Sequence, residues 1–319
     1  MKARNIVKVL LSVALVFAAT VDCSAQFLNN LKGKLKEAVV EKVSQNSNVA
    51  AAVAQKSGDV KFKNVLYVSA ERGSARSQGT KDAPLRDVQK AINMANDGDV
   101  IRIAEGNYLG NLDRGWLEIK EKYVSLEGGW NNDFTERNPL KYVTRIQPGK
   151  EQAGTIARAA LLIECLKNPD QTIVIDGIFF DLGMMLEYCK ADPSDPRYGC
   201  PEGCETGRVM PVGNPPNKTV RLLGGKVAGR LIVRNCMFLN ASFNGIIMTN
   251  MGGFWEIYNN VFVSNLYASC EITGGLNQQN NAHKSHVDFH HNTVMFSWPT
   301  TKEMESMGYG YRFRNGCDH

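Results

Sequence analysis

Val233-Arg234-Asn235-Cys236-Met237-Phe238-Leu239 is followed, 24 residues later, by Ile257-Tyr258-Asn259-Asn260-Val261-Phe262-Val263. The same shift carries Ile246-Ile247-Met248-Thr249 onto Cys270-Glu271-Ile272-Thr273, so the unit that repeats contains two short strands. A period of this length marks stacked supersecondary units, none of which buries its apolar face alone. Val174-Ile175-Asp176-Gly177-Ile178-Phe179-Phe180 fits the frame upstream at an offset of 59, and Phe289-His290-His291-Asn292-Thr293-Val294-Met295 fits it downstream at 32. Neither is a multiple of 24, and insertions account for that: a Pro/Gly/Cys-rich excursion over 183–219 and a polar one over 276–285. Solenoids carry such loops on one face, often the binding face. The apolar runs are short, rich in Val, Ile and Phe and broken by Gly and Asn, which disfavours helical repeats. The pattern predicts an all-β chain folded as a parallel β-helix.

Parallel coils stack about 4.8 Å apart, so like residues line up in columns. Phe179, Phe238, Phe262 and Val294 are expected to form an internal apolar ladder, with Trp255 also pointing inward. Asp176, Asn235, Asn259 and His291 are expected to form a polar column in which side-chain amides satisfy backbone groups at a bend.

The chain begins with Lys2, Arg4 and Lys8, an apolar run from Val9 to Ala19 and small residues up to Ala25, which reads as a secretion signal spanning 1–25. The rival reading is a lipid anchor at Cys23, to which the preceding Asp22 is a poor fit. No later stretch approaches the roughly 18 apolar residues of a membrane span. The expected localisation is therefore secreted, periplasmic or on the outer cell surface. Loss of Lys2, Arg4, Lys8 and Asp22 with the signal lowers the formal charge from +5 to +3, and residues 26–64 hold seven Lys against three acids. The remainder is close to neutral, which argues against nucleic acid as a partner.

Residues 26–64 are read as an arm and linker. Phe27, Leu28, Leu31, Leu35, Ala38, Val39 and Val43 recur at helical spacing with lysines interleaved, an amphipathic helix suited to packing, oligomerisation or a membrane surface. The β-helix domain is assigned to 65–319. Within it, Val88, Ala91, Ile92 and Ala95 share one face of a capping helix. The chain stops just after a strand-like segment with no evident cap, which raises the expectation of a fragment of a longer protein.

Tyr67-Val68-Ser69, Gly79-Thr80, Ala83-Pro84-Leu85, Gln89-Lys90-Ala91-Ile92, Gly98-Asp99 and Ile101-Arg102-Ile103 through Gly106-Asn107-Tyr108 resemble the N-terminal cap and first turn of secreted bacterial right-handed parallel β-helix proteins of the pectin-lyase-like superfamily. Leu126-Glu127-Gly128-Gly129-Trp130, Arg137-Asn138-Pro139 and Thr144-Arg145-Ile146 are similar to a surface-protein version of that architecture. The resemblance spans about residues 66 to 319. It implies the fold and an extended polysaccharide as partner, but not the chemistry, because lyases, hydrolases, epimerases and non-catalytic adhesins share this cap.

Three groups of residues could carry function. Gly310-Tyr311-Arg312-Phe313-Arg314-Asn315 resembles Gly245-Ile246-Ile247-Met248-Thr249-Asn250, which puts Arg312 above Glu271 and Arg314 above Thr273 on the outer strand face. A carboxylate and two guanidiniums exposed there suit an acidic glycan, as catalytic or recognition groups; a surface ion pair is the plainer account. His286, Asp288 and His290 alternate on one strand face and, with Trp298, are candidate substrate contacts; a metal is the sharper alternative for the histidines. The inserted acids, Asp192, Asp195 and Glu202 among them, could hold calcium, the one cofactor the sequence suggests. On the same insertion Cys189, Cys200 and Cys204 are expected to supply a disulfide, with a zinc site as the alternative, and Cys236 and Cys270 to be buried. No paired-aspartate motif of polygalacturonases, pectate-lyase arginine signature, dinucleotide fingerprint or phosphate loop is found. The chain therefore reads as a glycan-contacting surface protein, with a polysaccharide lyase or glycoside hydrolase as the alternative.

Overall fold

The computed structural model describes residues 60–110, 116–147, 158–182, 187–190, 209–212, 220–241, 243–274, 285–297 and 309–314. Strand β1 (Val65–Val68) and helix α1 (Val88–Met94) precede six coils. The first coil is β2 (Val100–Ala104), β3 (Gly106–Leu109) and β4 (Leu117–Lys120); the second is β5 (Ser125–Trp130), β6 (Thr144–Gln147) and β7 (Arg158–Cys165). The third, β8 (Thr172–Asp176), β9 (Ile178–Asp181) and β12 (Val220–Val227), is interrupted by an antiparallel hairpin of β10 (Glu187–Lys190) and β11 (Val209–Val212). The last three run β13 (Arg230–Arg234), β14 (Met237–Leu239), β15 (Asn244–Asn250); β16 (Gly253–Tyr258), β17 (Val261–Val263), β18 (Ala268–Gly274); and β19 (Ser285–His290), β20 (Thr293–Met295), β21 (Tyr309–Arg314).

Each coil gives one strand to each of three parallel sheets. Sheet A is β1-β2-β5-β8-β13-β16-β19, sheet B is β3-β6-β9-β14-β17-β20 and sheet C is β4-β7-β12-β15-β18-β21. Parallel strands joined by crossovers within a sheet wind right-handed, so the fold is a right-handed parallel β-helix. Helix α1 is capped by Asp87, whose carboxylate accepts the Lys90 N–H at 2.6 Å. It buries Val88, Ala91, Ile92 and the following Ala95, closing the N-terminal end of the core as its apolar spacing requires.

The internal ladder differs from the expected one by a single residue. Phe180, not Phe179, pairs with Phe238, and the rings of Phe180, Phe238 and Phe262 stack at 5.2 and 4.9 Å. Val294 continues the column as expected. The cause lies at the corner between sheets A and B. Asp176 pairs with Arg234, so the corner position is filled by Gly177, Asn235, Asn259 and His291, all at positive φ of 71°, 54°, 54° and 53°. Equating Asp176 with the asparagines shifts the upstream copy by one. A side chain at Gly177 would meet the Arg137 guanidinium at 2.7 Å and Pro139 at 2.8 Å, which explains the glycine.

The amides that satisfy the bend are likewise one residue further on. Asn260 Oδ1 accepts the Cys236 N–H at 3.0 Å while its Nδ2 donates to the Val233 carbonyl at 2.9 Å, and Asn292 repeats the arrangement one coil later by accepting the Asn260 N–H and donating to Ile257. The corner between sheets B and C uses the same device. Asn240 and Ser264 turn the chain at φ 61° and 54°, and Asn265 accepts from Ala241 and donates to the Phe238 carbonyl.

On the outer face of sheet A, Arg102, Glu127, Asp176, Arg234, Tyr258 and His290 form one column in register. Asp176, 1% exposed, is gripped by Arg137 and Arg234, each at 2.7 Å. Burial by itself raises the Asp176 pKa, but the two guanidiniums and the Asn235 amide outweigh it and hold the carboxyl below its usual range. The unfolded chain therefore takes up this proton first as pH falls. The stabilisation is complete above the unfolded carboxyl pKa of about 3.9 and is lost as pH drops through the lower folded value. Asp176→Asn should remove that part of the acid dependence and lower stability at neutral pH, because two buried guanidiniums lose their counter-charge. Urea unfolding of both proteins as a function of pH measures it; parallel curves would refute the assignment.

Candidate functional site: the outer face of sheet C

The last three strands of sheet C alternate cleanly. Ile246, Met248, Cys270 and Ile272 are buried, as their spacing predicts. Register is also as expected: Glu271 pairs with Arg312 and Thr273 with Arg314, while Ile247 and Thr249 precede them on β15. Burial raises the Cys236 thiol pKa to about 12 and moves that of Cys270 in the same direction, so neither is a reactive thiolate at neutral pH.

Glu271 does not face solvent as anticipated: it is 3% exposed. It points outward from the barrel, but outward is not the same as exposed when long side chains lie over the position. Arg314 approaches Glu271 Oε1 at 3.3 Å, and Arg221, two strands away on β12, is near enough for the carboxylate to offset part of the burial that lowers its pKa. Glu271 Oε2, Arg221 Nε and both side-chain atoms of Asn244 are buried without a hydrogen-bond partner. Leaving such atoms unmet costs about 1–3 kcal/mol each, so together they mark a polar region whose bonding capacity is unspent.

Arg312 turns from Glu271 to the neighbouring corner, where it donates to Tyr267 Oη at 2.6 Å and lies 5.0 Å from the Tyr309 ring centroid. Tyr267 stacks on Phe243 at 4.9 Å with 10° between the rings, and meets Tyr309 edge-on at 6.1 Å. Its backbone sits at φ 65°, an unusual conformation for an aromatic residue and a form of strain common at functional positions. The site thus comprises three guanidiniums, one buried carboxylate and a flanking aromatic ladder. Sequence reasoning found Glu271, Arg312 and Arg314 but missed Arg221, Phe243, Tyr267 and Tyr309. The signal was present for two of them, since Phe243 and Tyr267 are also 24 residues apart.

His286, Asp288 and His290 lie elsewhere, on the outer face of sheet A. They alternate outward as expected, but each histidine is engaged by an aromatic ring of the preceding coil: His286 stacks on Phe254 at 4.7 Å and His290 on Tyr258 at 5.0 Å. Asp288 reaches His290 Nε2 at 3.7 Å, and no group of three or more metal-type ligands converges among the described residues. Cys189 falls on β10 of the hairpin. Trp298, Asp192, Asp195, Glu202, Cys200 and Cys204 lie outside the described residues, as do the secretion signal and the helical arm.

Fold and site together define a parallel β-helix protein with a cationic, aromatic-flanked outer face near its C-terminal coils. No family model matches the chain, and no curated protein does. Among solved structures it is similar to one described as the complex structure of XylC with xylose, at 12% identity and a TM-score of 0.30, over 79% of this chain and 67% of that one. Among the described residues no helix is long and apolar enough to cross a membrane.

Glu271→Ala should destabilise the fold by about 1–3 kcal/mol, since Arg221 loses a counter-charge in a largely desolvated setting. Arg312→Ala, at the partly exposed corner, should cost less than about 1 kcal/mol. Denaturant titration separates the two.

Proposed function

We propose that this chain is an exported protein of the pectin-lyase-like kind that holds an extended acidic polysaccharide across the outer face of sheet C. The observation that carries the reading is the excess of positive charge: Arg314 and Arg221 lie near a single carboxylate, Glu271, Arg312 turns to Tyr267 beside them, and two of the three guanidiniums have no matching acid in the cluster. A guanidinium binds a uronate carboxylate in bidentate fashion, and the Phe243, Tyr267 and Tyr309 ladder offers apolar edges to sugar rings. Export is supported by the charged and apolar leader of residues 1–25. Calcium enters this reading only through Asp192, Asp195 and Glu202 of the insertion.

Polyuronates should bind and neutral xylan should not, with affinity falling as salt is raised. Arg312→Ala and Arg314→Ala should each weaken binding about tenfold, the worth of one charge-assisted contact of about 1.4 kcal/mol. Isothermal titration with and without calcium tests this. Equal affinity for acidic and neutral glycans, or no dependence on salt, contradicts it.

A second reading, eliminative cleavage of the same glycan, is favoured by the geometry of Tyr267. Arg312 donates to the phenol oxygen at 2.6 Å, which sets a cation beside the atom that would take or return a proton. The phenolate would remove the proton from C5 of a uronate, the C4–O bond would break as C4=C5 forms, and the departing oxygen would receive the proton. Tyr267→Phe keeps the stack on Phe243 and should abolish the ultraviolet-absorbing unsaturated product while leaving affinity intact. Binding by the unaltered protein without any such product removes this reading and leaves the first standing.

A further inference from the structure

Val60 and Phe62 pack over Val174, Ile232 and Tyr258 on the outer face of sheet A. The coil after Tyr258 brings His290 and His291 to the corner between sheets A and B, with their Nδ1 atoms 2.6 Å apart. In the preceding coils the same two positions are Asp176–Gly177, Arg234–Asn235 and Tyr258–Asn259. The corner needs only a residue that tolerates a φ near 54°, which asparagine supplies at both 235 and 259. Two imidazoles are therefore an addition to the turn and not a requirement of it.

The pair is held from both sides. His290 stacks on Tyr258 at 5.0 Å with 5° between the planes, and the Tyr258 hydroxyl is fixed in turn by the Arg234 guanidinium at 3.0 Å. Asp288 Oδ2 lies 3.7 Å from His290 Nε2, so the second nitrogen of that ring faces a carboxylate. On the other side Asn292 accepts the Asn260 N–H at 3.0 Å and donates to the Ile257 carbonyl at 2.7 Å, anchoring the backbone next to His291. His291 is exposed, and both histidines line a cleft of about 530 Å³ together with Asp288, Asn292 and Tyr311.

Two ring nitrogens this close share one proton, because two N–H groups or two lone pairs would repel. The carboxylate favours the His290 proton on Nε2, which leaves His290 Nδ1 as acceptor and His291 Nδ1 as donor. A shift of the His291 proton to its own Nε2 turns both Nδ1 lone pairs to one point. We propose that His290 and His291 chelate a divalent transition-metal ion through their two Nδ1 atoms, with Asp288 orienting the His290 ring. Metal–nitrogen bonds of about 2.0–2.1 Å set two neighbouring ligands about 2.9–3.3 Å apart, so the nitrogens need to part by less than about 1 Å. Rotation of the exposed His291 ring provides that. A carboxylate behind a ligating imidazole is the usual outer-shell arrangement. Imidazole nitrogen selects copper, nickel and zinc over calcium and magnesium, and copper(II) binds tightest of the three. No group of three metal-type ligands converges among the described residues, so the other coordination positions belong to water or to a donor entering from the cleft.

Copper(II) titration of the full-length chain after dialysis against a chelator, read by calorimetry and electron paramagnetic resonance, tests the site. A single ion per chain with two coordinated imidazole nitrogens is expected, unmoved by excess calcium. His291→Asn installs the residue type that turns the chain at Asn235 and Asn259, so it should keep the circular dichroism of the parent and lose that ion. Asp288→Asn should retain both nitrogens and weaken affinity about tenfold or more. Copper held by His291→Asn with the parent's affinity and nitrogen count lies elsewhere and overturns the proposal, as does no stoichiometric uptake by the parent or displacement by calcium. Equal affinity in Asp288→Asn overturns the part given to the carboxylate.

Discussion

Everything in this molecule depends on turning a parallel strand through a sharp corner without leaving buried backbone groups unpaired. The solution is a two-residue device repeated in the successive coils. One residue adopts a left-handed backbone conformation, supplied by Gly177, Asn235, Asn259 or His291, and where the next residue is an asparagine its side chain reaches into the adjacent coil. Asn260 and Asn292 bond both to each other and to the main chain above, so each corner is complete only when its neighbour is present. That reciprocity makes the fold additive along its axis and cooperative between adjacent coils.

The corners set the register, and register sets everything on the outer faces. Once Phe180, Phe238 and Phe262 stack inside, the alternation of strands places Glu271 and Arg312 side by side on sheet C and Asp176 and Arg234 side by side on sheet A. The two faces then use charge differently. On sheet A every buried charge near Asp176 is matched, by Arg137, Arg234 and the Tyr258 hydroxyl, and the network is structural in character. On sheet C the arginines outnumber the carboxylate and several polar atoms are unmet.

Much of the architecture was open to reading in one dimension. The 24-residue echo defined the coil, the alternation within β15 and β18 predicted which side chains enter the core, and the match of 310–314 to 245–249 placed both arginines in their observed register. The error in the internal ladder was of one residue and arose at the corner between sheets A and B. Asp176 resembles asparagine in chemistry, yet it ends a strand as an ion-pair acceptor while Gly177 makes the turn. A copy that replaces the corner asparagine by glycine shows no polar signal at the position that matters.

The sequence by itself determined the period, the strands and the inward columns, because these depend on spacing along the chain and on side-chain type. Only the tertiary structure decided that Glu271 is buried, that Arg312 bonds Tyr267 instead of the carboxylate below it, and that Val60 and Phe62 cover an outward face of sheet A. Each of these rests on where a long side chain or a preceding segment lies after the coils have stacked, at distances of one or more coils. Local pattern says which way a residue points, whereas only the folded surroundings determine what lies over it.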